Sequence, residues 1–203
     1  PVSDRKLRDD ATGKPDVMTL NSLAWFLIRR DKHYGIRLRD YASPMIDSLT
    51  SIPCFKIDEN LRIVAEFKPY DEPLKQKVPT IIGVDEENLI PGELIFRIGG
   101  KKMTLYPFAE EGAFFIVFGD QTNGYETYPA GRFLYTALPD QENHVIIDFN
   151  KSYNPPCAFT PFATCPLPLQ KNILPVRIEA GEKAIHLSYI GLLQNSNRTI
   201  SAR

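Results

Sequence analysis

Apolar residues in this chain recur at every second position along almost its whole length, and no long window repeats them at helical spacing. A period of two places alternate side chains on opposite faces, so the chain is constrained to pleated sheet before any other feature is weighed. Leu23 to Arg30 and Ile36 to Asp40 read as a hairpin turning around Asp31 to Gly35. On the return strand Ile36, Leu38 and Asp40 share one face, with Arg37 and Arg39 on the other. Ser43-Pro44 opens one or two helical turns, with Ser43 as cap and Pro44 at the first helical position. Leu61 to Phe67 and Val78 to Val84 are the next strands, and GELIFRIGGKKMTLYPF is a hairpin turning at Gly99-Gly100. In AFFIVFGDQTNGYETYPAGRF, Asn123-Gly124 is the dipeptide that a type I′ turn requires, because both central residues take positive φ. That register pairs Thr122 with Tyr125 and Asp120 with Thr127. His144 to Asn150, Val176 to Ile178 and Ala184 to Tyr189 close the series.

Roughly ten strands with closely spaced turns predict a mainly β fold, an antiparallel sandwich or barrel-like domain with short helical turns. The polar first 16 residues read as a flexible arm, 17–193 as a single β domain and 194–203 as a flexible tail. At 203 residues and 43% hydrophobic, the chain can fill a core without a metal or disulfide. Its 24 basic and 25 acidic residues nearly cancel, so no global field favours nucleic acid or an anionic membrane surface. No run reaches the ~18 apolar residues of a membrane-spanning helix. The opening PVSDRKLRDD holds no apolar secretion segment, and three cysteines are too few for a disulfide scaffold, so cytoplasm is the expected compartment.

The stretch DFNKSYNPPCAFTPFATCPLP, from Asp148 to Pro168, packs in five prolines and two of the three cysteines. Proline removes donors and pushes the preceding residue extended, so this loop is nearly one conformation before folding. Its ordering loses little entropy, which suits a pocket wall and equally a plug across an open barrel end.

Four motifs occur in order: RLRD at 37–40, DQTNGYETYPAGRF, DFNKSYNPPCAFTPFATCPLP and the closing AGEK. Together they resemble a bacterial and archaeal family of uncharacterised proteins, domain of unknown function family 1684, from about Leu23 to Lys183. The resemblance implies no established reaction, substrate or cofactor. Pro129-Ala130 stands where other members often carry two glycines, which stiffens the turn before Arg132.

Three aspartates, Asp40, Asp120 and Asp148, fall at or near strand ends. A buried carboxylate without donors costs several kcal/mol, so each needs partners or a rim position. Arg37, Arg39 and Arg132 are the natural ones, in bidentate pairing. One reading gathers these groups around a polar pocket for a small anionic molecule, with hydrolysis open to it. There the arginines hold the anion, Asp120 or Asp148 serves as base, and Cys157 is the candidate nucleophile. Asp40, Thr122, Tyr128, Asn150, Tyr153 and Asn154 are then ligand contacts. A second reading makes the same residues structural ion pairs and loop caps within a non-enzymatic structural or interaction module. A third gives Asp148, Asn150, Asn154 and Thr122 to a hard cation, although the spacing matches no calcium loop and no metal ligand is assigned. Cys157 and Cys165 do not have zinc spacing. They suit either a disulfide across a small loop or two buried small hydrophobes.

Overall fold

Ala113–Phe118 reads AFFIVF, a strand that breaks the alternation because both of its faces are buried. Phe114, Ile116 and Phe118 enter one hydrophobic cluster, and Phe115 and Val117 enter a second on the opposite side. Each fully buried aromatic or branched side chain contributes about 1.5–3 kcal/mol, so this strand anchors two cores at once.

The computed structural model describes residues 6–30, 32–49 and 51–185. It divides into two compact units, the first ending at Ser51 and the second beginning at Ile52. The first carries a meander of β1 (Met18–Leu20), β2 (Leu23–Arg30) and β3 (His33–Asp40), followed by α1 (Pro44–Ser48). Within the segment expected as an arm, Asp9 accepts from the Ala11 N–H and lies 3.5 Å from Arg29. The β2–β3 turn is tighter than expected, because pairing runs on to Arg30 and His33. Gly35 permits this: a Cβ there would stand 3.2 Å from the Ile28 side chain opposite.

In the second unit, β4 (Arg62–Pro79), β5 (Asp85–Ile98), β6 (Lys101–Leu105) and β10 (His144–Asp148) form an antiparallel sheet in the order β10-β4-β5-β6. A second sheet holds β7 (Phe108–Glu110), β8 (Ala113–Phe118) and β9 (Arg132–Ala137). The expected mainly β, antiparallel fold is therefore what the chain adopts. Among the described residues no helix is long and apolar enough to cross a membrane.

Several boundaries differ from the sequence reading. The strands expected at Leu61 to Phe67 and Val78 to Val84 belong to one long β4, whose register shifts between Pro69 and Leu74. Prolines 69 and 73 supply no N–H there, so a bulge forms instead of a break. The chain turns at Thr80, whose N–H and hydroxyl both reach the Val84 carbonyl. Asn123-Gly124 is not a two-residue turn: only Gly124 has positive φ, and the ladder stops at Phe118 opposite Arg132. The Asn123 side chain bonds the Asp120 N–H, the Thr127 hydroxyl and the Tyr128 carbonyl, which holds a wide loop open. β10 ends at Asp148 rather than Asn150, because that aspartate caps a 3-10 turn over Phe149–Lys151. Val176 to Ile178 runs without a ladder, its backbone bonded to Gln121 and to the Asp120 side chain. Of the strand expected from Ala184 to Tyr189, the part from His186 onward lies outside the described residues, as does the 194–203 tail.

The proline-rich stretch covers the outer cluster. Cys157, Cys165 and Leu169 pack there with Phe115, Val117 and Phe133, alongside Tyr128 and Tyr153.

Candidate functional site

The strand-end aspartates share one local device. Asp40 accepts from the Ala42 N–H at 3.0 Å, Asp120 from Thr122 at 2.8 Å and Asp148 from Asn150 at 3.2 Å. Each carboxylate thus caps the N–H two residues on, as a short acidic side chain does where a strand turns.

At Asp120 the device extends into a network. Arg132 opens β9 and aims its guanidinium inward, where Nη2 lies 2.6 Å from Asp120 Oδ2 and neither side chain is exposed (0% for both). The same Nη2 donates to the Ile178 carbonyl at 2.8 Å, and Nη1 donates to the Ala180 carbonyl. Asp120 Oδ1 also accepts from the Ile178 N–H at 3.2 Å. The Phe118 ring covers the guanidinium, 5.1 Å from its carbon. Burial lowers the Arg132 pKa and Asp120 opposes that shift. Thr122 is enclosed beside this network, its hydroxyl 2.8 Å from that of Thr127.

Asn150 clamps the segment at Asp58. Its Oδ1 accepts from the Asp58 N–H at 2.9 Å and its Nδ2 donates to the Asp58 carbonyl at 2.8 Å. Asn154 donates its backbone N–H to Glu182 and its amide to the Lys183 carbonyl, while its buried Oδ1 has no partner. Tyr153 exchanges two backbone hydrogen bonds with Phe133 and stacks on Tyr135. The Tyr128 hydroxyl donates to the Cys157 carbonyl at 3.2 Å, and the Cys157 N–H donates to Cys165 Sγ at 3.1 Å. A hydrogen bond from Cys165 is the main cause that brings the Cys157 thiol down to about 7, against the opposing effect of burial.

The second unit thus brings Asp120, Thr122 and Arg132 together inside the protein, gathers Tyr128, Tyr153 and Cys157 at the outer cluster, and sets Asp148 with Asn150 at the exit of β10. Arg37, Arg39 and Asp40 belong to the first unit. There Arg37 pairs opposite Phe26, Arg39 lies over the Phe26 ring, and Asp40 also accepts from the Ser22 hydroxyl.

Sequence reasoning missed Asn172. It is fully buried, accepts from the Tyr106 N–H and donates to the Tyr106 and Val117 carbonyls, tying the residue that follows β6 to β8. A lone asparagine outside any motif carries no signal of that role. Also missed was a cleft of about 360 Å³ beside β9 and β10, lined by Arg62, Tyr135, Thr136, His144, Asp148 and Lys151, among others. Among the described residues no group of His, Cys, Asp and Glu is placed to hold a metal.

No functionally curated protein matches the chain. It is similar to the solution NMR structure of an uncharacterized protein from Haloarcula marismortui, with a TM-score of 0.58 and 26% identity, covering 70% of this chain and 80% of that one. Residues 47–183 match the family described as protein of unknown function DUF1684, a span that leaves RLRD at 37–40 outside. Because that match takes in more than half of the sequence, the chain belongs to the DUF1684 family.

Proposed function

We propose that this chain is a non-catalytic structural or interaction module whose Asp, Arg and Asn motifs hold the fold. One observation carries the reading: Asp120 and Arg132 are sealed from solvent and bonded to each other and to the backbone of Ile178 and Ala180, with both Nη groups of the guanidinium used and Nε left without a partner. A general base has to come within hydrogen-bond reach of a substrate proton, and an anion-binding arginine has to offer a free fork. Here Asp120 already accepts from three donors, and the Arg132 fork is occupied. Asp148 and Asn150 are engaged in a cap and a clamp in the same manner. The test is thermal melting of Asp148→Asn and Asn154→Ala beside the unaltered protein. Sharp losses of melting temperature are expected, and folded variants with unchanged melting would overturn the reading.

A second reading keeps the small anionic ligand, with the cleft beside β9 and β10 in place of the Asp120 network. It is favoured by Thr136, which lines that cleft with Arg62 and Lys151 and whose buried hydroxyl has no hydrogen-bond partner. Asp148 lines the same cleft and is the acid or base that any hydrolysis there would use. Under this reading an anionic metabolite raises the melting temperature of the protein and fails to do so for Arg62→Ala. A flat response across a broad panel of carboxylates and phosphates sinks it.

A further inference from the structure

Two groups that neither reading uses are the thiols of Cys157 and Cys165. We propose that they form a redox-modification site, a dithiol that a hydroperoxide converts to an intramolecular disulfide.

The geometry is built for that product. The Sγ of Cys165 accepts a hydrogen bond from the backbone N–H of Cys157 at 3.1 Å, and that nitrogen is bonded directly to the carbon that bears the Cys157 side chain. A disulfide needs its two α-carbons roughly 4.4–6.8 Å apart, and a sulfur seated on the partner's own N–H sets the two residues side by side. Both cysteines are pinned from outside the loop between them. Tyr128 donates to the Cys157 carbonyl, and the Ile81 N–H donates to the Cys165 carbonyl at 2.9 Å. The Cys157 end is braced by backbone hydrogen bonds from Ala158 to Pro155 and from Phe159 and Thr160 to Pro156. Prolines stiffen both flanks, so little conformational freedom remains to be lost when the sulfurs join.

The two sulfurs are not equivalent. Cys157 is 9% exposed and Cys165 3%. Cys157 is also the thiol whose ionisation is eased, first by its neighbour Cys165 and then, against burial, by the Tyr128 hydroxyl. Thiolate character and access decide which sulfur meets an oxidant, and both select Cys157.

Cys157, having released its proton to solvent, attacks the terminal oxygen of the hydroperoxide. The O–O bond breaks, the sulfur becomes a sulfenic acid, and the departing alkoxide takes up a proton to leave as the alcohol. Cys165 then attacks the Cys157 sulfur and the S–O bond breaks. The hydroxide leaves as water with the Cys165 proton. Two thiols are oxidised, one hydroperoxide is reduced to alcohol and water, and one disulfide forms.

The experiment uses the full chain carrying Cys54→Ser, because Cys54 is exposed and would otherwise link molecules. Hydrogen peroxide is added in stoichiometric amount, and the protein is then denatured, alkylated and weighed intact. The expected result is a monomer lighter by two hydrogen masses, with neither thiol alkylated and one peptide joining Cys157 to Cys165. Oxidation is expected to run several-fold faster in the folded chain than in urea. In Cys165→Ser the sulfenic acid on Cys157 persists and is trapped by dimedone. The proposal is overturned if both thiols remain alkylatable after excess peroxide. It is equally overturned if Cys157 goes on to sulfinic acid while Cys165 stays reduced, or if the fold gives no rate advantage. The measurement on the otherwise unaltered chain decides the matter even where a cysteine variant fails to fold.

Discussion

Asp120 and Arg132 close the base of a wide loop, 2.6 Å apart and both out of contact with water. The pair stands where β8 hands over to β9, and Arg132 extends the tie to Ile178 and Ala180, 46 and 48 residues further along. Breaking a buried pair by removing one partner strands the other's charge, which typically costs about 3–5 kcal/mol. Arg132→Met is therefore expected to lower stability by that order in urea titration. Asp120→Asn combined with Arg132→Met should recover part of the loss, since no buried charge is then left alone. If the double variant is as unstable as the sum of the single ones, the two residues act independently and the pairing is not the lock.

Asn172 joins β8 to the link after β6, a role that its own sequence position does not announce. Three hydrogen bonds run from its side chain to the Tyr106 and Val117 backbone, all within the protein. Each is worth about 0.5–1.5 kcal/mol net, and the groups left behind are buried, so Asn172→Ala is expected to cost about 2–4 kcal/mol. Asn172→Asp removes the amide donor to two carbonyls and should cost as much, in contrast to a surface asparagine. Chemical denaturation of the two variants checks this, and a loss below about 0.5 kcal/mol in both would count against the clamp.

Two glycines with similar backbone angles should respond very differently to alanine. Gly131 has φ +95°, and a Cβ there would stand 2.4 Å from Pro168 Cγ and 2.8 Å from the Phe118 carbonyl oxygen. Gly112 has φ +75° with nothing within 4 Å. Gly112→Ala meets only the backbone penalty of about 1–2 kcal/mol. Gly131→Ala meets that penalty and must also push the proline-rich cover away from β8. Its melting temperature should fall clearly further, with the outer cluster loosened. Equal shifts for the two variants would mean that Pro168 moves aside freely.

How far the sequence reached follows from what leaves a local trace. The sheet was legible because a pleat writes its period into the side chains, and the Gly99-Gly100 turn was legible because both residues take positive φ. The Asn123-Gly124 turn misled because the asparagine side chain, rather than its backbone, organises that loop. Leu61 to Phe67 and Val78 to Val84 read as two strands, where β4 is one strand whose register shifts between Pro69 and Leu74. Within the site, the aspartates and Arg132 stood out as charges that needed partners. Their partners did not, because the Ile178 and Ala180 carbonyls are backbone atoms that any residue would supply. The proline-rich stretch was legible as rigid. Its place over the Phe115 and Phe133 cluster was not, since a cover and a pocket wall make the same demand on composition.

The Cys157 thiol gives a pH dependence whose direction can be worked out. Its ionisation is brought from the ordinary 9.0 down to about 7, first by the hydrogen bond with Cys165 and then by the Tyr128 hydroxyl, with burial opposing both. A thiolate alkylates and a thiol does not, so a lowered pKa moves reactivity toward lower pH. In the folded Cys54→Ser chain, the iodoacetamide rate at Cys157 should be half-maximal near pH 7 and level above it. In the unfolded chain the rate should still be climbing through that range. Tyr128→Phe removes one hydroxyl that favours the thiolate while keeping the ring in the cluster, so its half-maximal pH should lie above that of the parent. A folded parent whose rate rises only around the ordinary thiol range would show that Cys165 and Tyr128 do not favour this thiolate in solution. A Tyr128→Phe profile identical to the parent's would assign the effect to Cys165 and the Cys157 backbone N–H.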